Sequence, residues 1–380
     1  MHAPSEAGSE IATAGLLWAA CRADPDVEGI RKALAGGADA DVAASAAVTQ
    51  RVAPLLWRGL EAANIEDDGD QRERWSAVRQ DSERWHARAV VLLPRAVAAA
   101  VEPLAKAGLD PVVFKGPALA TRYPHPGLRP MDDLDLLLPR HWHDAALRAL
   151  RAAGWTPARH VRRARYDVPL VHPELPGFPL ELHYGFEWWR NRAHDLELSA
   201  LWGRQVTFDC LGTPAHRLTV EDELVALAAH AAKPFHQFGR LIWSVDLAVL
   251  VTSTAGGIDW GAVEALSADT GCRTAVAVGL RQASRLGAHV PAELLVISAK
   301  GARRAALDPL LAESWPLVDL DAGLQRRLRY ALCDDARRRA VLFAGQVTEG
   351  PWWQAPSRAL SLGGRAVRRW FGLRRAARPR

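Results

Sequence analysis

Three aspartates occupy four positions of the stretch FKGPALATRYPHPGLRPMDDLDLLLP, residues 114–139: Asp132, Asp133 and Asp135. They run directly into Leu136, Leu137 and Leu138. Carboxylates crowded at the start of an apolar strand repel one another and lose hydration as they are covered. Something positive is needed beside them. A strand alternates its faces, so Asp133 and Asp135 share one face while Leu134 and Leu136 point to the other. A divalent metal resolves the repulsion, and hard oxygen ligands favour Mg²⁺, or Mn²⁺ in its place, over zinc. A third acid on a neighbouring strand would complete a two-metal site. The segment PLELHYGF supplies one in Glu181, flanked by Leu180 and Leu182, with His183 on the same face.

Each of these residues has a plainer reading. The aspartates could cap a strand with a solvated face, and Lys115 could pair structurally with an acid. Arg129 could anchor the loop before the strand. His183 is read as a support for the ligands rather than a ligand itself. His230 and Asp246 lie on two later helices, where a hydrogen bond between helices is preferred to contact with substrate. His141 and His143 start the helix after the strand. Trp188 and Trp189 are read as core or lid rather than a base-stacking platform.

The elements that must position these groups follow from periodicity. Residues 11–63 carry apolar side chains at helical spacings. A long helical stretch runs from Arg84 to Gly108, with Pro94 and Pro103 set to kink or split it and Gly108 to end it. PVVFKG predicts a short buried strand. PALATRY predicts a helical turn or two, opened by Pro117. DLDLLLP is a second strand, and HWHDAALRALRAAGW an amphipathic helix closed by Gly154. HVRRARYDVPLVHP and FPLELHYGFEWW predict two strands around ELPGF. After Glu197 the chain is expected to turn helical, with a capping pattern from Thr219 to Asp222 and a further apolar helix in RLIWSVDLAVLV. The division expected is a helical region at 1–108, an α/β core at 109–197, a second helical region at 198–350 and a basic tail at 351–380. The fold class is α+β: a small mixed sheet between two helical regions.

Composition narrows the function classes. The chain has 380 residues, 49% of them hydrophobic and 24% charged, which is ordinary globular material. No apolar run reaches the length of a membrane span, and MHAPSEAGSE has no signal-peptide pattern. Cys21, Cys210, Cys272 and Cys333 are far apart and suggest neither a zinc site nor a disulfide framework. A cytoplasmic protein is expected. Residues 357–380 hold eight arginines and no acid; the remaining 40 basic residues face 43 acids, a balance of −3. The basicity is therefore local, and the body is not built as a general nucleic-acid binder. The tail reads as a solvated terminus, with docking on RNA or anionic lipid as the sharper alternative.

The order FKG, short helix, YPHPGLRPMDDLDLLLP, helix ending AAGW, then LELHYGF resembles the uncharacterised nucleotidyltransferase family of the DNA polymerase β-like superfamily. LVALAAHAAKPFHQFGRLIWSVDLAVLV resembles that family's C-terminal helical portion, so the likeness spans roughly residues 10–345. The resemblance implies Asp133 and Asp135 as paired metal ligands and Glu181 as the third carboxylate. It places Lys115 and Gly116 where the superfamily usually has a Gly-Ser turn holding the triphosphate. The residues suit that chemistry. Two metals about 3.5–4 Å apart activate the attacking oxygen and steady the leaving pyrophosphate. Gly116 lets backbone approach phosphate, and Lys115 with Arg129 supplies positive charge. The expectation is a Mg²⁺-dependent enzyme moving an NMP group from an NTP to an unidentified small-molecule, peptide or protein acceptor. The alternatives are a catalytically degenerate binding protein of the same fold, or a metal-dependent glycosyltransferase using Asp-x-Asp. The last normally needs a nucleotide-binding α/β half before the motif, and the preceding hundred residues read as helical.

Overall fold

The computed structural model describes residues 6–65, 73–158, 167–183, 201–233, 236–254, 256–317, 320–334, 336 and 339. Trp188, Trp189 and the basic tail lie outside the described residues.

The chain opens with helices α1 (Glu6–Ala20), α2 (Val27–Ala35), α3 (Ala40–Thr49) and α4 (Ala53–Ala62), then α5 (Ser76–Val91) and α6 (Leu93–Lys106). The long helix expected before Gly108 is split at Leu92, because Pro94 is tolerated only in the first turn of a new helix. Gly108 ends α6 with φ of +71°, a conformation that costs a glycine little.

The α/β part follows as β1 (Val112–Phe114), α7 (Gly116–Ala120), β2 (Leu134–Leu137), α8 (His143–Ala152), β3 (Thr156–Pro157), β4 (Asp167–Val171) and β5 (Leu180–His183). Then come β6 (Val206–Cys210) and β7 (Thr213–Arg217). Among the described residues these strands form one sheet in the order β3-β4-β5-β2-β1-β7-β6. β2 pairs antiparallel with β1 and parallel with β5, in a register that sets Asp135 beside Glu181 and Leu137 beside His183.

The β6–β7 hairpin corrects the expectation that the chain turns helical after Glu197. Leu211 and Gly212 form its two-residue turn, both with positive φ, at 57° and 90°. Such turns match the twist of a hairpin, and the hairpin adds two strands to the sheet beyond the 109–197 block.

The second helical region contains α9 (Val220–Ala232), α10 (Leu241–Thr252), α11 (Trp260–Asp269), α12 (Arg273–Arg285), α13 (Ala302–Leu311) and α14 (Ala322–Ala331). Thr219 caps α9, accepting from the Asp222 amide as its spacing predicts. None of the described helices is long and apolar enough to cross a membrane.

The sheet separates two cores. Val113, Leu134, Leu136, Leu180 and Leu182 pack with α6 and α8. Val112, Phe114 and Leu137 join the core built by the flanking helical regions. This is the expected alternation of β2 and β5: Leu134, Leu136, Leu180 and Leu182 face α6 and α8, and Asp135, Glu181 and His183 face the other way.

Candidate active site

The main acids and cations picked out by the sequence meet in one cleft of about 220 Å³, between the sheet, the segment leading into β2, the end of α9 and the start of α10. Lys115, Gly116, Arg129, Asp133, Asp135, Glu181 and His230 all line it.

Asp135 is the centre of the acidic wall and is almost completely buried. Lys115 Nζ donates to its Oδ1 at 2.8 Å, and His183 Nε2 lies 2.6 Å from the same oxygen. His183 also sits 3.3 Å from Glu181 Oε2. Burial alone would raise the Asp135 carboxyl, but Lys115 and His183 outweigh it and hold the group well below the usual carboxylate range. Burial likewise opposes charge on His183, yet its hydrogen bonds to Asp135 and Glu181 raise it to about 8. The hydrogen bond from His183 lowers Glu181.

Asp133 is different. It lines the same cleft with no ion pair among the described residues, and burial, then the nearby Asp135 charge, raises its carboxyl to about 6. Asp135 therefore has direct cationic partners, while Lys115 and Arg129 act on Asp133 too weakly to offset burial and the Asp135 charge.

Donor atoms of Asp135, Glu181 and His183 lie within 4.8 Å of one another. Together with Asp133 this set fits a hard divalent cation: oxygen donors predominate, and added positive charge would relieve the crowding that raises Asp133. His183 touches both acids through Nε2, at 2.6 Å from Asp135 and 3.3 Å from Glu181.

Lys115 reaches this position through an unusual backbone. It ends β1 and precedes α7 with φ of 52° and ψ of −118°, a region that non-glycine residues enter at a cost of about 1–3 kcal/mol. Gly116 follows in close quarters: a Cβ there would meet Met131 Sδ at 3.2 Å and Arg129 Nη1 at 3.4 Å. The plain reading of Lys115, a pair with a buried acid, is present in the structure together with its place in the cleft.

Asp246 on α10 accepts from Arg129 Nε at 3.1 Å and Nη2 at 2.8 Å, and from the Tyr123 hydroxyl at 2.7 Å. This replaces the expected hydrogen bond between Asp246 and a partner helix. Arg129 is fixed by two oxygens, and its Nη1 lies towards Gly116 at the cleft wall. His230 instead packs edge-on against His236 and Trp243.

Several cleft residues escaped the sequence reading. Arg51, Lys233, His236, Arg240 and Trp243 line the side away from β2 and β5. Arg51 Nη2 lies 2.6 Å from Asp132 Oδ1, and Arg240 Nη1 lies 4.0 Å from Asp132 Oδ2. Asp132 thus faces arginines, while Asp133 and Asp135 face the acidic wall. Gln50 sets up this rim: its side chain accepts from the Leu241 amide at 2.7 Å and its carbonyl from the Ile242 amide at 3.3 Å. These contacts tie the end of α3 to the start of α10. The one signal available beforehand was the density of His, Lys and Arg in HAAKPFHQFGR.

Among solved structures the chain is similar to a solution structure of the antibiotic-resistance factor ANT(2'')-Ia, at 16% identity and a TM-score of 0.35, over 47% of this chain and 90% of that one. No curated protein matches it. The model of a family described as uncharacterised nucleotidyltransferase matches residues 36–288, well over half of the chain. That span holds β1, β2 and β5 with every acid and cation of the cleft, and the chain belongs to this uncharacterised nucleotidyltransferase family.

Proposed function

We propose that the cleft transfers an NMP group from an NTP to an acceptor, with Mg²⁺ as the metal. The observation that carries this reading is the division of one cleft into an acidic wall, Asp133, Asp135 and Glu181, and a cationic surround, Lys115 and Arg129. Asp135 and Glu181, with Asp133 beside them, would hold Mg²⁺, whose charge supplies activation of the attacking oxygen and stabilisation of leaving pyrophosphate. Lys115 and Arg129 bind and orient the triphosphate. Arg129 does so with its guanidinium already fixed by Asp246, so little side-chain freedom is lost on binding. Gly116 allows backbone to approach phosphate where a side chain would press on Arg129. The acceptor is a small molecule, peptide or protein, and the working compartment is the cytoplasm. Residues 109–197 are taken as the catalytic unit and the flanking regions as its walls.

A second reading is favoured by one observation. Asp135 is already matched by Lys115 and His183, an arrangement that also suits a binding protein without turnover. Incubation with each labelled NTP and Mg²⁺ separates the two. Release of pyrophosphate with label on an acceptor supports transfer; tight nucleotide binding without release supports the binding protein. A glycosyltransferase is disfavoured because α1–α6 stand where its nucleotide-binding half would be.

A further inference from the structure

Besides phosphate-binding charge, the cleft carries a set of stacked rings. His236 and Trp243 lie with centroids 4.6 Å apart and planes 20° from parallel, and both line the cleft. Arg240 packs over the Trp243 ring at 5.7 Å. His230 stands edge-on to both, 4.6 Å and 6.0 Å away. Among the described residues these are the aromatic rings that line the cleft.

Residues 236–239 are held in place. Gln237 and Phe238 both have positive φ, 41° and 56°, although neither is glycine. Burial of Phe238 in the main core and its amide bond to Ala231 O at 2.7 Å anchor that conformation. The His236 amide donates to Lys233 O at 3.0 Å and its carbonyl accepts from Gly239 at 2.7 Å. Two consecutive strained residues beside a cleft ring are the kind of cost that clusters at ligand sites.

The tautomer of His236 follows from its partner. Nδ1 lies 3.1 Å from His230 O. A carbonyl only accepts, so Nδ1 carries the proton, and in the neutral ring Nε2 is an acceptor. Burial, then the charge of Lys233, lowers this histidine to about 3, which keeps the ring neutral at working pH.

We propose that the His236–Trp243 stack walls the nucleobase subsite, with the base stacking against Trp243 and meeting His236 edge to edge, so that His236 Nε2 accepts a hydrogen bond from the exocyclic amino group of an adenine-type base. The assignment rests on reading the cleft as a nucleotide site. It adds which end of the cleft takes the base and why an amino-bearing purine is preferred. Base–aromatic stacking tolerates any base, whereas a fixed acceptor selects for an amino donor.

The test uses the full chain with Mg²⁺ and three ligands: ATP, ITP, which replaces the amino group with a carbonyl, and inorganic tripolyphosphate. The wild type is expected to bind ATP about tenfold more tightly than ITP, and ITP more tightly than tripolyphosphate. His236→Ala is expected to lose about tenfold for ATP while tripolyphosphate affinity is unchanged, which also reports an intact fold. His236→Phe is expected to keep a ring packed against Trp243 and lose the preference for ATP over ITP. The inference is overturned if His236→Ala binds ATP as the wild type does, if both ligands weaken equally, if His236→Phe keeps the preference for ATP, or if the wild type binds tripolyphosphate as tightly as ATP or does not prefer ATP to ITP. Failure of the wild type to bind either ATP or tripolyphosphate would instead remove the nucleotide reading itself.

Discussion

Asp246 grips Arg129 through both carboxylate oxygens, at 3.1 and 2.8 Å, from a helix 117 residues further along the chain. The Tyr123 hydroxyl closes on the same carboxylate, and both side chains of the fork are nearly inaccessible to solvent. Burial opposes charge on Arg129, but Asp246 more than offsets it and raises the guanidinium further above its usual value. A fork of this kind fixes a direction as well as a charge. Arg129→Lys keeps the charge and loses the fork. It is expected to weaken tripolyphosphate binding about tenfold. An unchanged affinity, measured by calorimetry, would show that the orientation of Arg129 does not matter to phosphate.

Asp133 and Asp135 are expected to respond in opposite ways to the same change. Asp133 has no ion pair among the described residues and is raised by burial and by Asp135. Asp133→Asn therefore removes a strained charge, and metal-free stability at pH 7.5 should hold or rise by about 1–2 kcal/mol. Asp135→Asn instead leaves Lys115 buried without its anion, and should destabilise by about 3–5 kcal/mol. Thermal melts without metal compare the two. Equal shifts in one direction would contradict the separate environments described for these acids.

Lys115 combines a charge with a strained backbone, and two substitutions separate them. Lys115→Ala and Lys115→Gly remove the same charge, but glycine accepts φ of 52° without penalty. Lys115→Gly is expected to be about 1 kcal/mol more stable than Lys115→Ala, with equal loss of triphosphate binding. If alanine proved the more stable, the strain would be absent in solution.

The sheet and the acidic wall were legible because strong local patterns encode them. Leu134, Leu136, Leu180 and Leu182 alternate with polar residues, and the structure places those leucines in one core and Asp135 and Glu181 on the opposite face. The β6–β7 hairpin was not legible. VTFDC does alternate apolar and polar residues, but the run is short, Val206, Thr207 and Asp209 are exposed on an edge strand, and its turn is Leu-Gly rather than Asn-Gly. The cationic rim was hidden for another reason. Arg51 and Arg240 come together at Asp132 through tertiary contacts, among them those of Gln50 with α10. The role of Asp246 was hidden in the same way, since its partners Arg129 and Tyr123 lie in another region of the chain.

Glu223 gives the fold a pH dependence away from the proposed chemistry. It lies 3.5 Å from Arg122, with both side chains buried. Burial raises its carboxyl to about 7, against the pull of Arg122 and Arg217. The folded state therefore keeps a proton that the unfolded chain releases near pH 4.5. This contribution is full below that pH and is lost as pH rises towards 7. Glu223→Gln cannot ionise, so the wild type should lose on the order of 3 kcal/mol more than the variant between pH 4.5 and 7.5. Melting curves across that range check it. Parallel curves for the two proteins would mean that Glu223 does not titrate there.

The central claim is that the acids of this cleft carry nucleotidyl transfer, and pyrophosphate release tests it most directly. Wild type and Asp133→Asn are incubated side by side with Mg²⁺, an α-labelled NTP and cell extract as the source of acceptor. The wild type is expected to release pyrophosphate with label appearing on an acceptor, and Asp133→Asn, folded and at least as stable, to do so about a hundredfold more slowly or worse. Equal release by the two proteins would contradict the account.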